Sequence, residues 1–241
     1  PRRCSPGALS PAARRPRGAP AMAGPWELAS RGCVTSVAIS EGTVYAVGEN
    51  LRVLHQPLAA MTPDSAWRQL SDTIHVRSIA VHRGVIYGVG KNGRVYSHAL
   101  SLMGRSTKWA KATQDGKVVT IAVSEGVMYA LDEEGGFLAR SVDSLPEGRW
   151  EAKDRSLCDC VSIAVHGSVL YAVSCTGEVR ARAVAAVGEP APAPLWAQDA
   201  AAIQLSALAF DGSLVYAVGR LGCLYTCAQG AAAAAGPRAA G

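Results

Sequence analysis

The residues that could carry chemistry in this chain fall into a few small groups. Cys158 and Cys160 flank Asp159, which puts two sulfur ligands and a carboxylate within three positions. Cys33 reads as the repeat equivalent of Cys160. A metal centre needs further ligands at set spacing, and no Cys-x-x-Cys or His-x-x-x-His pair accompanies them. No metal is expected, and these thiols read as core or surface groups. Two polar series share a spacing of 42, 42, 42 and 45 residues. The first is Ser40, His82, Ser124, His166 and Asp211, where a ring of polar groups could bind a ligand or simply mark polar turns. The second is Gln56, His98, Arg140, Arg182 and Cys227. There Arg140 and Arg182 offer a basic patch for an acidic partner, or else solvated surface. Asp132, Glu133 and Glu134 form an acidic turn. Serine-nucleophile motifs, phosphate-cradling glycine loops and paired catalytic carboxylates are absent. The expectation is therefore no enzyme and no cofactor.

The elements that position these residues repeat. Gly42 to Tyr45, Gly84 to Tyr87, Gly126 to Tyr129, Ser168 to Tyr171 and Ser213 to Tyr216 are variants of one phrase, small-x-x-Tyr. Their tyrosines Tyr45, Tyr87, Tyr129, Tyr171 and Tyr216 are 42, 42, 42 and 45 residues apart. Trp26, Trp67, Trp109, Trp150 and Trp196 follow the same register. A repeat of this length means a propeller or a solenoid, and solenoids of this period are mostly helical.

Each repeat reads as four strands. In the second, Val76 to Val81 is a short apolar strand, and Arg83-Gly84 turns the chain into Val85 to Gly90. Asn92-Gly93 is a strong two-residue hairpin signal leading to Arg94 to Leu100, and Trp109 to Thr113 forms the fourth strand. Leu51 replaces the hairpin glycine in the first repeat, so a different turn is expected there. In the first strand, Ala38, Ala80, Ala122, Ala164 and Ala209 share a face with Ser36, Ser78, Thr120, Ser162 and Ala207. Small residues there suit innermost strands that crowd around an axis. Val37, Ile79, Ile121, Ile163 and Leu208 point the other way, to fill between sheets. The fold expected is an all-β five-bladed propeller of four-stranded antiparallel blades. The last repeat lacks its own tryptophan strand. The segment Pro25 to Leu28 resembles Ala66 to Leu70, so the N-terminal strand is expected to complete the last blade.

The propeller spans residues 25–229. Residues 1–24 carry Arg2, Arg3, Arg14, Arg15 and Arg17 with no acid and hardly any large apolar residue. Three readings stay open for them: a transit remnant that would target an organelle, a basic partner-binding arm, or sequence upstream of a start at Met22. Residues 230–241 are an Ala/Gly-rich tail. The formal charge is +5, yet removing those five arginines from the 24 basic residues leaves 19, balancing the 19 acidic ones. A neutral body has no general attraction to nucleic acid, so no nucleic-acid partner is expected. No apolar run reaches the ~18–20 residues of a membrane-spanning helix, and a soluble protein is expected.

With Trp, Gly-x-Val-Tyr and a hairpin glycine recurring, the pattern resembles the tachylectin and tectonin group of propellers. The run from Trp26 to Ala38, reading Trp-Glu-Leu-Ala-Ser-Arg-Gly-Cys-Val-Thr-Ser-Val-Ala, is similar to that group's five-fold repeat phrase. The resemblance covers about residues 25–229. It implies sugar binding at repeated sites between blades, and carbohydrate is the alternative ligand. The leading expectation is a non-enzymatic binding module or scaffold, docking protein partners as an accessory subunit of a larger assembly.

Overall fold

Short β-rich stretches separated by two-residue turns fold into sheets whose outer strands pair only when the next turn is made. The computed structural model describes residues 25–71, 73–155, 157–186 and 203–228. They form five antiparallel sheets around one axis. The chain begins with β1 (Glu27–Ser30). The first blade is β2 (Val34–Ser40), β3 (Thr43–Gly48), β4 (Val53–Pro57) and β5 (Arg68–Ser71). The second is β6 (Val76–His82), β7 (Val85–Gly90), β8 (Val95–Ala99) and β9 (Ala110–Lys111). The third is β10 (Val118–Ser124), β11 (Val127–Asp132), β12 (Phe137–Ser141) and β13 (Glu151–Asp154). The fourth holds β14 (Cys160–His166), β15 (Val169–Ser174) and β16 (Val179–Ala183). Its expected outer strand, around Trp196, lies outside the described residues. The fifth is β17 (Leu205–Asp211), β18 (Leu214–Gly219) and β19 (Leu224–Ala228), completed by β1.

That completion is the closure expected from the first tryptophan segment. β1 runs antiparallel to β19, pairing Glu27 with Thr226 and Leu28 with Tyr225. One apolar cluster lies at each of the five blade junctions. The junction of blades five and one joins Ala29, Tyr216 and Leu224 to Val37 and Val44, so the two ends of the ring share a core. Val37, Ile79, Ile121, Ile163 and Leu208 are all buried, and each contributes about 1.5–3 kcal/mol.

The small face of the innermost strands has a second use beyond close approach. These strands have no further strand on their axial side, so half their amides lack a sheet partner. The Ser36 hydroxyl accepts from the Ile79 amide of the next blade at 3.2 Å, and Ser78 accepts from Ile121 at 3.2 Å. Ser78 and Thr120 hydroxyls lie 3.1 Å apart.

Two local expectations are corrected, and one feature is new. Leu51 does not change its turn: it adopts φ +62°, the left-handed value that Gly93 takes at +71°, and its amide closes the turn onto the Gly48 carbonyl at 2.8 Å. The strand register aligns Cys160 with Val34, so Cys33 corresponds to Asp159. Lastly, the third strands of the first four blades each run into one 3-10 turn: Leu58–Ala60, Leu100–Leu102, Val142–Ser144 and Val184–Ala186. Leu58, Leu100, Val142 and Val184 each donate an amide to the first hairpin turn of their own blade at 2.8 Å.

Candidate functional site

The innermost strands enclose an axial cavity of about 140 Å³, lined by the Ser/Thr and Ala columns. The polar series Ser40, His82, Ser124, His166 and Asp211 stands at its hairpin end, and His166 is the member that lines this cavity. Each member shares a face with the small residues and so looks across a junction toward the next blade. His166 stacks on Phe210 of the fifth blade, centroids 4.9 Å apart, and lines the cavity mouth. Phe210 also meets the Tyr171 ring at 4.6 Å. His82 Nε2 is buried without a hydrogen-bond partner among the described residues. Burial, reinforced by the Arg83 charge, holds the His82 imidazole below its ordinary range against the opposing pull of Asp143. Asp211 is exposed.

The second polar series is under cover. Arg140 and Arg182 are 3% and 7% exposed, and Gln56 and Cys227 are 3% exposed, so the expected surface patch of Arg140 and Arg182 is not formed. In blades two and three the series meets the outer tryptophan. The Arg140 guanidinium lies 5.3 Å from the Trp150 ring and donates to the Gly148 carbonyl; burial lowers its pKa while Asp115 opposes the shift. His98 approaches Trp109 at 6.4 Å, and Gln56 accepts from Ser65 at 2.8 Å. These contacts brace the loop between third and fourth strands.

The aromatic columns lie within the blades. Tyr87, Tyr171 and Tyr216 are buried, while Tyr45 and Tyr129 are half-buried. Trp26, Trp67, Trp109 and Trp150 are half-buried, each packed on a junction cluster; Trp196 lies outside the described residues. Trp67 Nε1 donates to Ser30 in the preceding blade at 3.0 Å, and Trp109 Nε1 to Ser71 at 3.3 Å.

Of the Cys158-Asp159-Cys160 group, Asp159 pairs with Arg180 at 2.6 Å. Burial, with Asp159 beside it, pushes the Cys160 thiol up to about 12. A thiol this resistant to ionisation is a poor nucleophile. Cys33, Cys158, Cys160 and Cys223 are free thiols. Among the described residues no group of three or more His, Cys, Asp or Glu is placed to hold a metal ion, and no helix is long and apolar enough to cross a membrane.

A groove that neither polar series pointed to opens at the junction of blades one and two, on the face carrying the second hairpin turns. It measures about 480 Å³, the size of a small-ligand site. Tyr96 and Trp109 give it aromatic walls, Thr73, Ile74, His75 and Asn92 line it further, and Lys91 and Lys108 supply its charge. Asn92 is fixed by its own blade, donating to the Tyr96 hydroxyl at 3.0 Å and accepting from the Arg94 amide at 3.2 Å. The charge on Arg52 is the largest influence lowering the His75 pKa, ahead of desolvation and the charge on Lys91. The signal available in the sequence was the run of Lys91, Arg94, Lys108 and Lys111 within one repeat, hidden by a net charge counted over the whole body.

No family model and no curated protein matches the chain. Among solved structures it is similar to the glutaminyl cyclase of Myxococcus xanthus, with 13% identity over 84% of this chain and 93% of that one, at a TM-score of 0.62. BamB from Moraxella catarrhalis is more distant, with 12% identity over 80% of this chain and 57% of that one, at 0.44. YCF48 bound to D1 peptide is matched at 16% identity over 82% of this chain and 64% of that one, at 0.43. At such identities likeness extends to fold alone, and the fold is the β-propeller.

Proposed function

We propose that this chain is a non-enzymatic binding module that docks protein partners through the loops at the ends of its ring, as an accessory subunit of a larger assembly. One observation carries the reading: five equivalent hairpin tips display unlike side chains. The tip position held by Asn92 in blade two is Asn50, Glu134, Thr176 and Leu221 in the others. The neighbouring position runs Glu49, Lys91, Glu133, Cys175 and Arg220. Leu221 is 83% exposed at its tip. Backbone that repeats while its tips diverge suits one asymmetric partner surface, and propellers commonly serve as rigid platforms of this kind. Native co-purification of the tagged full chain, followed by light scattering, tests it. A defined complex is expected; a protein that always runs as a free monomer overturns the proposal.

A second reading, carbohydrate binding of the tachylectin type, is favoured by one feature, the Tyr96 and Trp109 walls with Asn92 in the blade-two groove. Its repeated-site form is weakened because the Tyr96 column runs Leu54, Tyr96, Leu138, Arg180 and Tyr225. A glycan array probed at high protein concentration decides it: no binder removes this reading.

A further inference from the structure

We propose that the groove between blades one and two is a docking site for an acidic peptide segment of a partner protein, held by Lys91 and Lys108 along its aromatic walls Tyr96 and Trp109. The inference rests on the protein-binding reading and names the chemistry of the partner.

Four cations elsewhere have carboxylate neighbours. Arg31 pairs with Asp64 beside the latch strand. Lys117 and Arg155 lie 3.9 and 4.0 Å from Glu134, and Arg180 holds Asp159. Around this groove Arg52, Lys91 and Lys108 have no carboxylate partner among the described residues. Arg52 Nη1 is buried with no hydrogen-bond partner among them. A guanidinium nitrogen taken out of water without an acceptor is costly. A carboxylate entering the groove would meet Lys91 and Lys108 directly, together with the Arg52 charge that acts on His75. The field here is positive enough to disfavour a proton on His75, with Arg52 its first cause.

Lys91 and Lys108 line the groove from separate stretches of chain, and Arg52 acts on it through its charge at His75. Such spacing suits several carboxylates along an extended segment better than one compact anion. The chain cannot fill the groove with its own ends, because residues 1–24 and 229–241 contain no acid. Its acidic turn is engaged within its own molecule, by Lys117 and Arg155. Tyr96 and Trp109 add faces for an aromatic or aliphatic side chain between the charges.

The test is fluorescence anisotropy of the full chain with a labelled eight-residue peptide of four glutamates and two phenylalanines. Its counterpart with lysines replacing the glutamates, decathymidylate and a neutral chitotriose serve as competitors. The acidic peptide should bind with an affinity that falls as salt rises. K91E/K108E should weaken it at least tenfold, while R149E, an exposed reversal outside the groove, leaves it unchanged. K91Q/K108Q, which adds no new repulsion, should also weaken binding, with an unaltered melting point. The proposal is overturned if the peptide fails to bind at millimolar concentration, or if K91E/K108E binds it as well as the parent. It is overturned too if the lysine counterpart, decathymidylate or chitotriose competes as strongly as the acidic peptide. A native assembly that persists when the peptide does not bind removes the groove assignment alone. Peptide binding without any native assembly removes the accessory-subunit reading alone.

Discussion

A single hydroxyl decides more at a blade junction than its size suggests. Ser78 is 4% exposed and accepts the axial amide of Ile121 in the next blade. Ser78→Ala removes little volume but leaves that amide unpaired, at a cost of about 1–3 kcal/mol. Chemical denaturation should register this as a lower midpoint with an unchanged slope; a midpoint matching the parent would show that the amide finds another partner. Glycines give a paired contrast. A Cβ at Gly84 meets nothing within 4 Å, so Gly84→Ala bears only the left-handed backbone penalty at φ +70°, about 1 kcal/mol. A Cβ at Gly93 falls 2.5 Å from the Lys117 amide nitrogen. Gly93→Ala should therefore cost clearly more than Gly84→Ala in the same denaturation series, and equal losses would contradict the close approach. The sequence marked both glycines through the hairpin rule, but not the difference between them, which depends on a link between blades two and three.

At the scale of elements, the strands were the most legible part of the chain. The strand expected at Val85–Gly90 has those bounds, because a two-residue turn and a β-branched run define both its ends. The outer strand expected from Trp109 to Thr113 is only Ala110–Lys111, since outer strands pair on one edge and the side chains of Trp109 and Thr113 turn to other tasks. The 3-10 turns were not anticipated, being too short for periodicity to reveal. The burial of Arg140 was misread because a charged residue at a strand end normally faces water; here a tryptophan and a loop carbonyl cover it. The latch is the element with the largest consequence. Trp26 packs at the junction of blades four and five, and Ala29 at that of five and one. Deleting residues 1–30 should remove at least about 3 kcal/mol and lower the melting temperature by roughly 6–12 °C. It should also expose the β19 edge, so that the truncated protein aggregates in light scattering. Unchanged melting would refute closure by β1. A gentler probe is Gly32→Ala, whose Cβ would lie 2.1 Å from Trp67 Nε1. Displacing that indole loosens the same junction from its other side, and a melting point equal to the parent's would show the indole can move freely.

For the whole molecule, closure makes the five junctions one cooperative unit, so groups buried in different blades should act on a single unfolding transition. Two sets of titrating groups then bound the stable range. Burial, followed by the charges of Arg68 and Arg83 respectively, lowers the pKa of His55 and of His82. A histidine depressed in the folded state takes its proton first in the unfolded chain, so its contribution is present above the ordinary imidazole pKa of about 6.5 and is lost as pH falls. On the other side, burial raises the Cys160 thiol to about 12. The folded thiol keeps a proton that the unfolded one sheds from about pH 8.5, so this contribution is complete below that value and declines as pH rises toward the folded one. Calorimetry across pH 5 to 10 should give one transition with a plateau between about pH 6.5 and 8.5 and a decline on each flank. His82→Gln should flatten the acid flank, and Cys160→Ala the alkaline one, leaving the other flank intact. A melting temperature that stayed level to pH 5 would mean that His55 and His82 accept protons in the ring as freely as in water. Two separate transitions would mean that the blades do not unfold as one body.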